Sequence, residues 1–407
     1  MTIAGFVLAA LLFAALPAHA VVGDATAAAL WVNALGLDIL GKTAPGGNAL
    51  LSPYSIEMAL AMAFDGAAGV TREEIRHVLH YDQNDTGNEP YISLQELPAF
   101  FTSKAERATK EAKARGDSAQ VTFVVANQLF AQQGFVFHQR YLDALIHGYH
   151  APLQSLDFVR KPDDSRRAIN LWVEDHTRKR IRDLIPPGGV TKDTRLALVN
   201  ALYLKASWAI PFPKESTQSR PFHLSNGKTV NVPTMRAKVK VGYDQRGFHA
   251  IAIPYVGGEL LFVILLPDEK SNVAALEKTL TPELLTFAKN APVHQITVEI
   301  PKFKLEPPVM PLADTMKALG MKTAFDPVAA NFDSMSTADL CLSAIYHKTF
   351  LSLDEAGTEA AAATAIMVSV TSMPPPREIK IDRPFLFAIQ DRESGACLFL
   401  GRMMDPR

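Results

Sequence analysis

Histidine and cysteine are the side chains in this sequence best suited to hold a metal ion or attack a substrate. His77 with His80, and His147 with His150, stand at helical spacing, so each pair could face one ion from one side of a helix. No cysteine or carboxylate falls where it would complete either set, and no metal or other cofactor is expected. Cys341 and Cys397 are the only cysteines, and a chain this large needs no staple, so free thiols are expected. There is no Gly-x-Ser-x-Gly elbow, His-Glu-x-x-His pair, phosphate loop or Gly-x-Gly-x-x-Gly turn. Nothing marks the chain as an enzyme. The basic residues Lys104, Arg107, Lys110, Lys113 and Arg115 do not make an anion site either. Glu106 precedes Lys110 by four and Glu111 precedes Arg115 by four, as on a solvated helix laced with ion pairs. Arg178 and Lys179 follow Glu174 and Asp175 in the same way.

One segment stands out for lacking chemistry of its own. "GTEAAAATAIMVSVTSMPPP", Gly357 to Pro376, carries a single charge, Glu359, and none follows until Arg377. Its alanines favour a helix, its middle is β-branched, and Pro374, Pro375 and Pro376 favour an extended polyproline leg. Alternate residues of a strand face opposite ways. Thr358, Ala360, Ala362, Thr364, Ile366, Val368 and Val370 would then share one face, all small or β-branched and all uncharged. Glu359, Ala361, Ala363, Ala365, Met367, Ser369 and Thr371 would share the other. Burying Ile366, Val368 and Val370 would return about 1.5–3 kcal/mol each before ordering costs. A permanent helix has no use for that alternation, and Gly357 at its start is unhelpful to it. The run is suited to becoming a strand within a sheet.

The elements around it are mixed. Ser52-Pro53-Tyr54-Ser55-Ile56 predicts a helix start, with Ser52 as cap and Pro53 in the first turn. Ile56, Ala59, Leu60 and Ala63 continue it at helical spacing. Strands are predicted at Val121 to Ala126, Arg195 to Leu204, Leu260 to Leu266, Ile296 to Ile300 and Phe385 to Ile389. Several are apolar on both faces, as in a covered sheet. The order is not an alternating βαβ one, and no internal repeat occurs. With 407 residues, 48% of them hydrophobic, the chain can bury a large core. Pro186-Pro187-Gly188-Gly189 and Pro307-Pro308 are loop breaks rather than domain linkers. The formal net charge of -1 offers no electrostatic reason for nucleic acid or an anionic membrane as partner.

Ile3 to Leu16 is nearly all apolar, and Pro17-Ala18-His19-Ala20 supplies the small-x-small pattern of a leader cleavage site. Only the terminal amine provides the positive end. A leader over 1–20 and a secreted or periplasmic location are expected, with 21–407 as one domain. The run is too short to span a bilayer comfortably. Asn84-Asp85-Thr86 is the single sequon and matters only where the host glycosylates.

Seven segments in order resemble one family. "NALLSPYSIEMALAMAFDGAAGVT" (Asn48 to Thr71) is similar to the helix B motif of the serpins, and "INLWVEDHTRKRIRDLI" (Ile169 to Ile185) to their helix F. "LVNALYLKASWAIPFPKEST" (Leu198 to Thr217) resembles the family's strand 3A and breach segment, with Trp208, Phe212, Thr217 and Phe222 at its spacing. "FVILLPDE", "IPKFKLE", "LSLDEAGTEAAAAT" and "RPFLFAIQDRESGACLFLGRMMDP" follow in register. The resemblance implies an α+β serpin fold: helices packed around three β-sheets, with an exposed C-terminal reactive-centre loop at about 355–378. It implies a monomeric serine protease inhibitor acting as a suicide substrate. The target cleaves the loop, is held as a covalent acyl-enzyme, and is carried along as the loop inserts into the main sheet.

The resemblance also implies site roles. Glu355, Gly357, Thr358, Glu359, Ala360, Ala361, Ala362, Ala363 and Thr364 match the hinge. Ser52, Ser55, Asn200 and His347 match the shutter, a polar cluster beneath the strands that part. Trp208 and Lys302 match the breach, Lys302 as an ion-pair partner of Glu355. Ala356 departs from the family, which often has a charge there. In the family the reactive bond follows the residue sixteen beyond the hinge glutamate, which is Thr371-Ser372 here; counting back from Arg383-Pro384-Phe385 points nearer Met373. No basic residue lies between Glu359 and Arg377, so elastase- or subtilisin-like targets are expected and trypsin is not. A cysteine protease as target, or a non-inhibitory carrier or chaperone role, are the alternative readings.

Overall fold

A computed structural model describes residues 18–81, 89–114, 119–359 and 378–407. The expected leader contributes only its last three residues to this description, in the first turn of helix α1 (Ala18–Lys42). The sequon lies outside it. Ser52 does cap α2 (Pro53–Gly66): its hydroxyl accepts the Ser55 amide at 3.2 Å, and Pro53 occupies the first turn. Every residue of α2 except Asp65 is buried, as expected of a helix that is apolar all round. Buried with it is Glu57, whose carboxyl burial pushes up to about 8. Helices α3 (Gly69–Val78), α4 (Glu89–Ala114) and α5 (Gln139–His147) follow, then α6 (Pro162–His176), α7 (Val273–Thr279), α8 (Pro282–Phe287) and α9 (Ala313–Leu319).

The strands form two hydrogen-bonded networks. The first runs β1 (Ala49–Leu51), β17 (Cys397–Met403), β16 (Phe385–Asp391), β8 (Leu260–Pro267), β7 (Phe248–Pro254), β6 (Thr229–Gln245), β9 (Val293–Pro301) and β15 (Glu378–Lys380), with β5 (Gln218–His223) also on β6. The second, the main sheet, runs β10 (Phe303–Leu305), β13 (Leu351–Asp354), β14 (Gly357–Thr358), β4 (Leu196–Ser207), β12 (Leu342–Thr349) and β11 (Met310–Pro311). On the other edge of β4 lie β2 (Val121–Gln132) and then β3 (Gln154–Leu156). Two of the three sheets expected from the resemblance are continuous with each other. The reason is β6, whose 17 residues pair in turn with β5, β9 and β7.

The two networks face each other across an aromatic core. Trp208 at the end of β4 meets Phe262 of β8 edge to face at 5.8 Å, and Phe262 stacks on Phe387 of β16 at 5.5 Å. The residues of β8, β16 and β17 are all buried, which accounts for the apolar runs Leu260–Leu266, Phe385–Ile389 and Cys397–Leu400. On the opposite face of the main sheet, Ile169 and Val173 of α6 pack over Phe130, Ala197, Val199 and Ala201 in a smaller core.

Two charge readings need correction. Lys104 is not on a solvated face: its side chain is 4% exposed and its ammonium lies 2.9 Å from Asp391 and 2.8 Å from Glu393. Helical spacing alone does not say which flank of α4 meets the first network. Arg178 and Lys179 do not extend α6 either. The helix stops at His176, both residues have left-handed φ (52° and 62°), and the expected pairs with Glu174 and Asp175 are not made among the described residues.

Arg402 of β17 ties the chain ends together. Its side chain is 3% exposed; it binds Glu277 at 2.8 and 3.0 Å and donates to the carbonyls of Gly47 and Ala44. Removing a buried charge that holds five acceptors, the Thr43 hydroxyl among them, breaks all of those bonds at once. Arg402→Ala is therefore expected to lower stability by on the order of 3 kcal/mol, read as a shift of the urea unfolding midpoint.

Candidate functional site

β12 and β13 are one run interrupted only at Phe350. Its lower half pairs directly and in parallel with β4, from Ala344 opposite Ala197 to Thr349 opposite Leu202. Above that point β14 lies between the two, with Thr358 opposite Leu353 on one side and Ala206 on the other. The main sheet is thus already parted by a strand of two residues. That strand is the start of the segment Gly357 to Pro376, whose single charge is Glu359.

The reversal that brings it there has identifiable causes. Asp354 Oδ1 accepts the amides of Ala356 and Gly357 at 2.9 and 3.3 Å, closing a side-chain turn. Gly357 has φ 142°, and a Cβ on it would strike the Ala206 carbonyl oxygen, so glycine is required. Thr358 is wholly buried, its hydroxyl 2.6 Å from that of Tyr255. Ala356 is also buried, and its carbonyl accepts the Trp208 amide at 2.9 Å. A charge there would have to be accommodated inside the turn.

Next to the turn, Trp208 donates its Nε1–H to the Asp354 carbonyl at 2.9 Å and stacks on Tyr255, ring centroids 4.7 Å apart. Glu355 meets Lys302 Nζ at 2.8 Å and accepts the Thr217 hydroxyl at 2.7 Å. Burial works against its ionisation, but the hydrogen bonds from Lys302 and Thr217 outweigh it and hold Glu355 below the usual range. Glu359 folds its side chain, 5% exposed, against Arg180 at 3.0 Å. Its amide donates to the Ser352 carbonyl at 3.0 Å.

Lower down, the four expected shutter residues form one polar cluster. His347 of β12 and Asn200 of β4 are register partners across the parallel pair. The Ser52 amide donates to His347 Nε2 at 3.0 Å, so the ring proton sits on Nδ1, 2.6 Å from Asn200 Oδ1. Asn200 Nδ2 donates to the Ser55 carbonyl and to Asn127 Oδ1, which also accepts the Ser55 hydroxyl at 3.2 Å. Burial lowers the His347 pKa to about 3. A proton on Nε2 would point at the Ser52 N–H, so the neutral ring suits the site.

Ala360, Ala361, Ala362, Ala363, Thr364, Thr371, Ser372 and Met373 lie outside the described residues. Sequence reasoning missed three members of the site. Asn127 is a polar residue inside the apolar run Val121–Gln132, a signal that could have been read. Tyr255 and Arg180 join through tertiary contact and carry no local mark. The histidine pairs form no metal site: no group of three or more ligating side chains occurs among the described residues, and His80 instead meets Asp38 at 2.8 Å. Cys341 and Cys397 are free.

Residues 33–406 match the family model described as "Serpin (serine protease inhibitor)". The chain is 35% identical over 378 residues to human leukocyte elastase inhibitor, covering 90% of this chain and 95% of that one. It is likewise 35% identical over 366 residues to an uncharacterized serpin-like protein of Methanosarcina mazei, covering 88% and 82%. Among solved structures, uncleaved ovalbumin (26% identity) and native protease nexin-1 with heparin (25%) each superpose with a TM-score of 0.78, covering 94% of this chain and all of theirs.

The His347 geometry sets a pH dependence. An unfolded histidine takes up a proton near its ordinary 6.5, whereas the buried one resists until about 3. Its contribution to stability is therefore complete above pH 6.5 and is lost as pH falls toward 3. His347→Gln keeps a donor for Asn200 and an acceptor for Ser52 without titrating. Relative to that variant, the wild type should lose on the order of 2 kcal/mol on going from neutral to about pH 5, measured by denaturant unfolding at each pH. Glu57 and Asp65, which also titrate abnormally, are common to both proteins and cancel.

Proposed function

This chain belongs to the serpin family, and we propose that it is an inhibitor that traps an endoprotease through the reactive-centre loop at about 355–378. The observation that carries this reading is the two-residue strand β14, wedged between β13 and β4 directly above a parallel pair with nothing between its strands. A cleaved loop can continue from Thr358 into the gap that β14 opens. Each further residue replaces one parallel contact of β12 with β4 by two antiparallel ones, a gain in hydrogen-bonded edge as well as in buried area. The bond between His347 and Asn200 spans that same pair, so it must break for the gap to lengthen.

The chemistry is the protease's own. Its nucleophile attacks the Thr371 carbonyl and the peptide bond to Ser372 breaks. The amine of Ser372 leaves with the proton that the nucleophile gave up, and Thr371 remains as an acyl-enzyme ester. Insertion that outruns hydrolysis of this ester traps the target. The metastable native state supplies the driving force. Small and β-branched residues at Val370-Thr371-Ser372, and the likeness to a leukocyte elastase inhibitor, favour an elastase- or subtilisin-like target. The apolar run Ile3 to Leu16 followed by Pro17-Ala18-His19-Ala20 favours export, to the periplasm or outside the cell. The folded unit is then one domain from 21 to 407, acting as a monomer.

Incubation with elastase, subtilisin, a papain-like cysteine protease and trypsin tests this. An SDS-stable complex with elastase or subtilisin is expected, with a released fragment that mass spectrometry shows to begin at Ser372. A start at Pro374 would move the bond to Met373, and trapping of trypsin would refute the specificity. The absence of a complex with every protease would refute inhibition. Thr358→Arg is expected to remain cleavable but to lose most trapping, because its charge would have to enter the pocket beneath Tyr255 and Trp208. Full stoichiometric inhibition by that variant would contradict insertion.

A further inference from the structure

Glu359 is the one charge in the segment that would enter the sheet, and a carboxylate entering a sheet needs a partner. The structure supplies one directly, Arg180 in the segment after α6, at 3.0 Å. Burial pushes the Glu359 carboxyl up, and a hydrogen bond from Tyr203 and the charges of Arg180, Lys205 and Lys304 offset part of that. The strand register explains why those two lysines. Gly357 faces Ser207 and Thr358 faces Ala206 on β4, so the next step places residue 359 opposite Lys205. On the other side Thr358 faces Leu353, the next step reaches Ser352, and Ser352 is the partner of Lys304 on β10. Lysines therefore flank the slot for residue 359 from both sides.

Arg180 is not a free surface arginine. Its guanidinium and the Lys304 ammonium both lie over the half-shared ring of Phe350, at 5.8 and 5.2 Å from its centroid. The segment that carries it includes three non-glycine residues with left-handed φ: Arg178, Lys179 and Asp183. It is pinned by Lys348 Nζ on the Arg182 carbonyl at 2.8 Å and by the Arg180 amide on the Thr177 carbonyl at 3.0 Å. Strain kept in place by such contacts fixes where Arg180 points. Glu359 itself has φ 51°, which turns the chain out of the slot after two residues. Relaxing that one dihedral to an extended value lets the strand continue, while strand alternation leaves the carboxylate on the face opposite Thr358, where Arg180 and the lysines are.

We propose that Arg180 is a positioning residue for loop insertion: with Lys205 and Lys304 it forms a cationic seat for Glu359 that holds the hinge at the two-residue stage and aligns the loop to feed in. The role rests on the inhibitory reading above. It predicts that Arg180→Ala and Glu359→Gln leave the initial association with the target unchanged, because the scissile bond is untouched. Each should raise the number of inhibitor molecules consumed per protease trapped by about two- to threefold, the scale of an ion pair whose arginine is half exposed. The double variant should be no worse than either single one, and Arg180→Lys should restore most of the loss. Hydrogen exchange of the intact protein, with no protease present, should show the Glu359 amide losing protection in Arg180→Ala. Additive effects in the double variant, or unchanged exchange beside normal trapping in Arg180→Ala, would overturn the seat while leaving the inhibitory reading intact. A chain that traps no protease at all would overturn that reading and the positioning role with it, whatever the exchange shows.

Discussion

The direct parallel pairing of β12 with β4 is the contact on which the rest of the molecule turns. Two long strands with their lower halves paired and their upper halves separated cannot both be satisfied and be closed. The upper backbone groups of β4 and β13 need a partner, and Gly357 and Thr358 provide it. Below, the pair is complete, but parallel ladders are slightly weaker per residue than antiparallel ones. On the proposed insertion the sheet would open between these strands, and what holds them is local: the cluster of Ser52, Ser55, Asn127, Asn200 and His347 that bonds one strand to the other and both to α2.

That cluster shows how a polar site can hold a sheet without making it permanent. All of its members except Asn127 are fully buried, so each bond lost without replacement would be costly. Yet each is a short side-chain contact rather than a ladder, and on the proposed insertion a new strand would bring backbone groups to the same donors and acceptors. The neutral state of His347 matters for this reason. A cation in that position would need a counter-charge, and no ion-pair partner for it occurs among the described residues.

Charge is managed at the upper end in the complementary way. Glu355 and Glu359 sit on either side of the two inserted residues, and each is given a cation: Lys302 for the first and Arg180 for the second. Between them the inserted residues are a glycine, which alone fits the reversal, and a threonine whose hydroxyl finds Tyr255. The hinge is specified at every position described, and its partners come from five separate stretches of chain.

The element types were legible in the residues themselves. Ser52 and Pro53 announced the start of α2 because capping is a local interaction, and the all-apolar runs at Leu260 and Phe385 announced covered strands because burial on both faces leaves no polar position. The alternation from Thr358 onward marked a segment able to become a strand for the same local reason, and resemblance placed the hinge, shutter and breach residues on named positions. What the sequence could not decide was which distant segments meet. Lys104 had the spacing of a solvated helix and lies in a buried network, Arg178 and Lys179 had helical spacing and lie beyond the helix, and nothing near Arg180 or Tyr255 marks them as partners of the hinge. Local preferences and the chemistry each residue can offer were readable along the chain, since these depend on neighbours a few positions away. That the hinge lies two residues deep in the sheet, with the Glu359 carboxylate against Arg180, follows from the fold alone, because strand register and the course of the chain after α6 are set by packing between elements far apart in sequence.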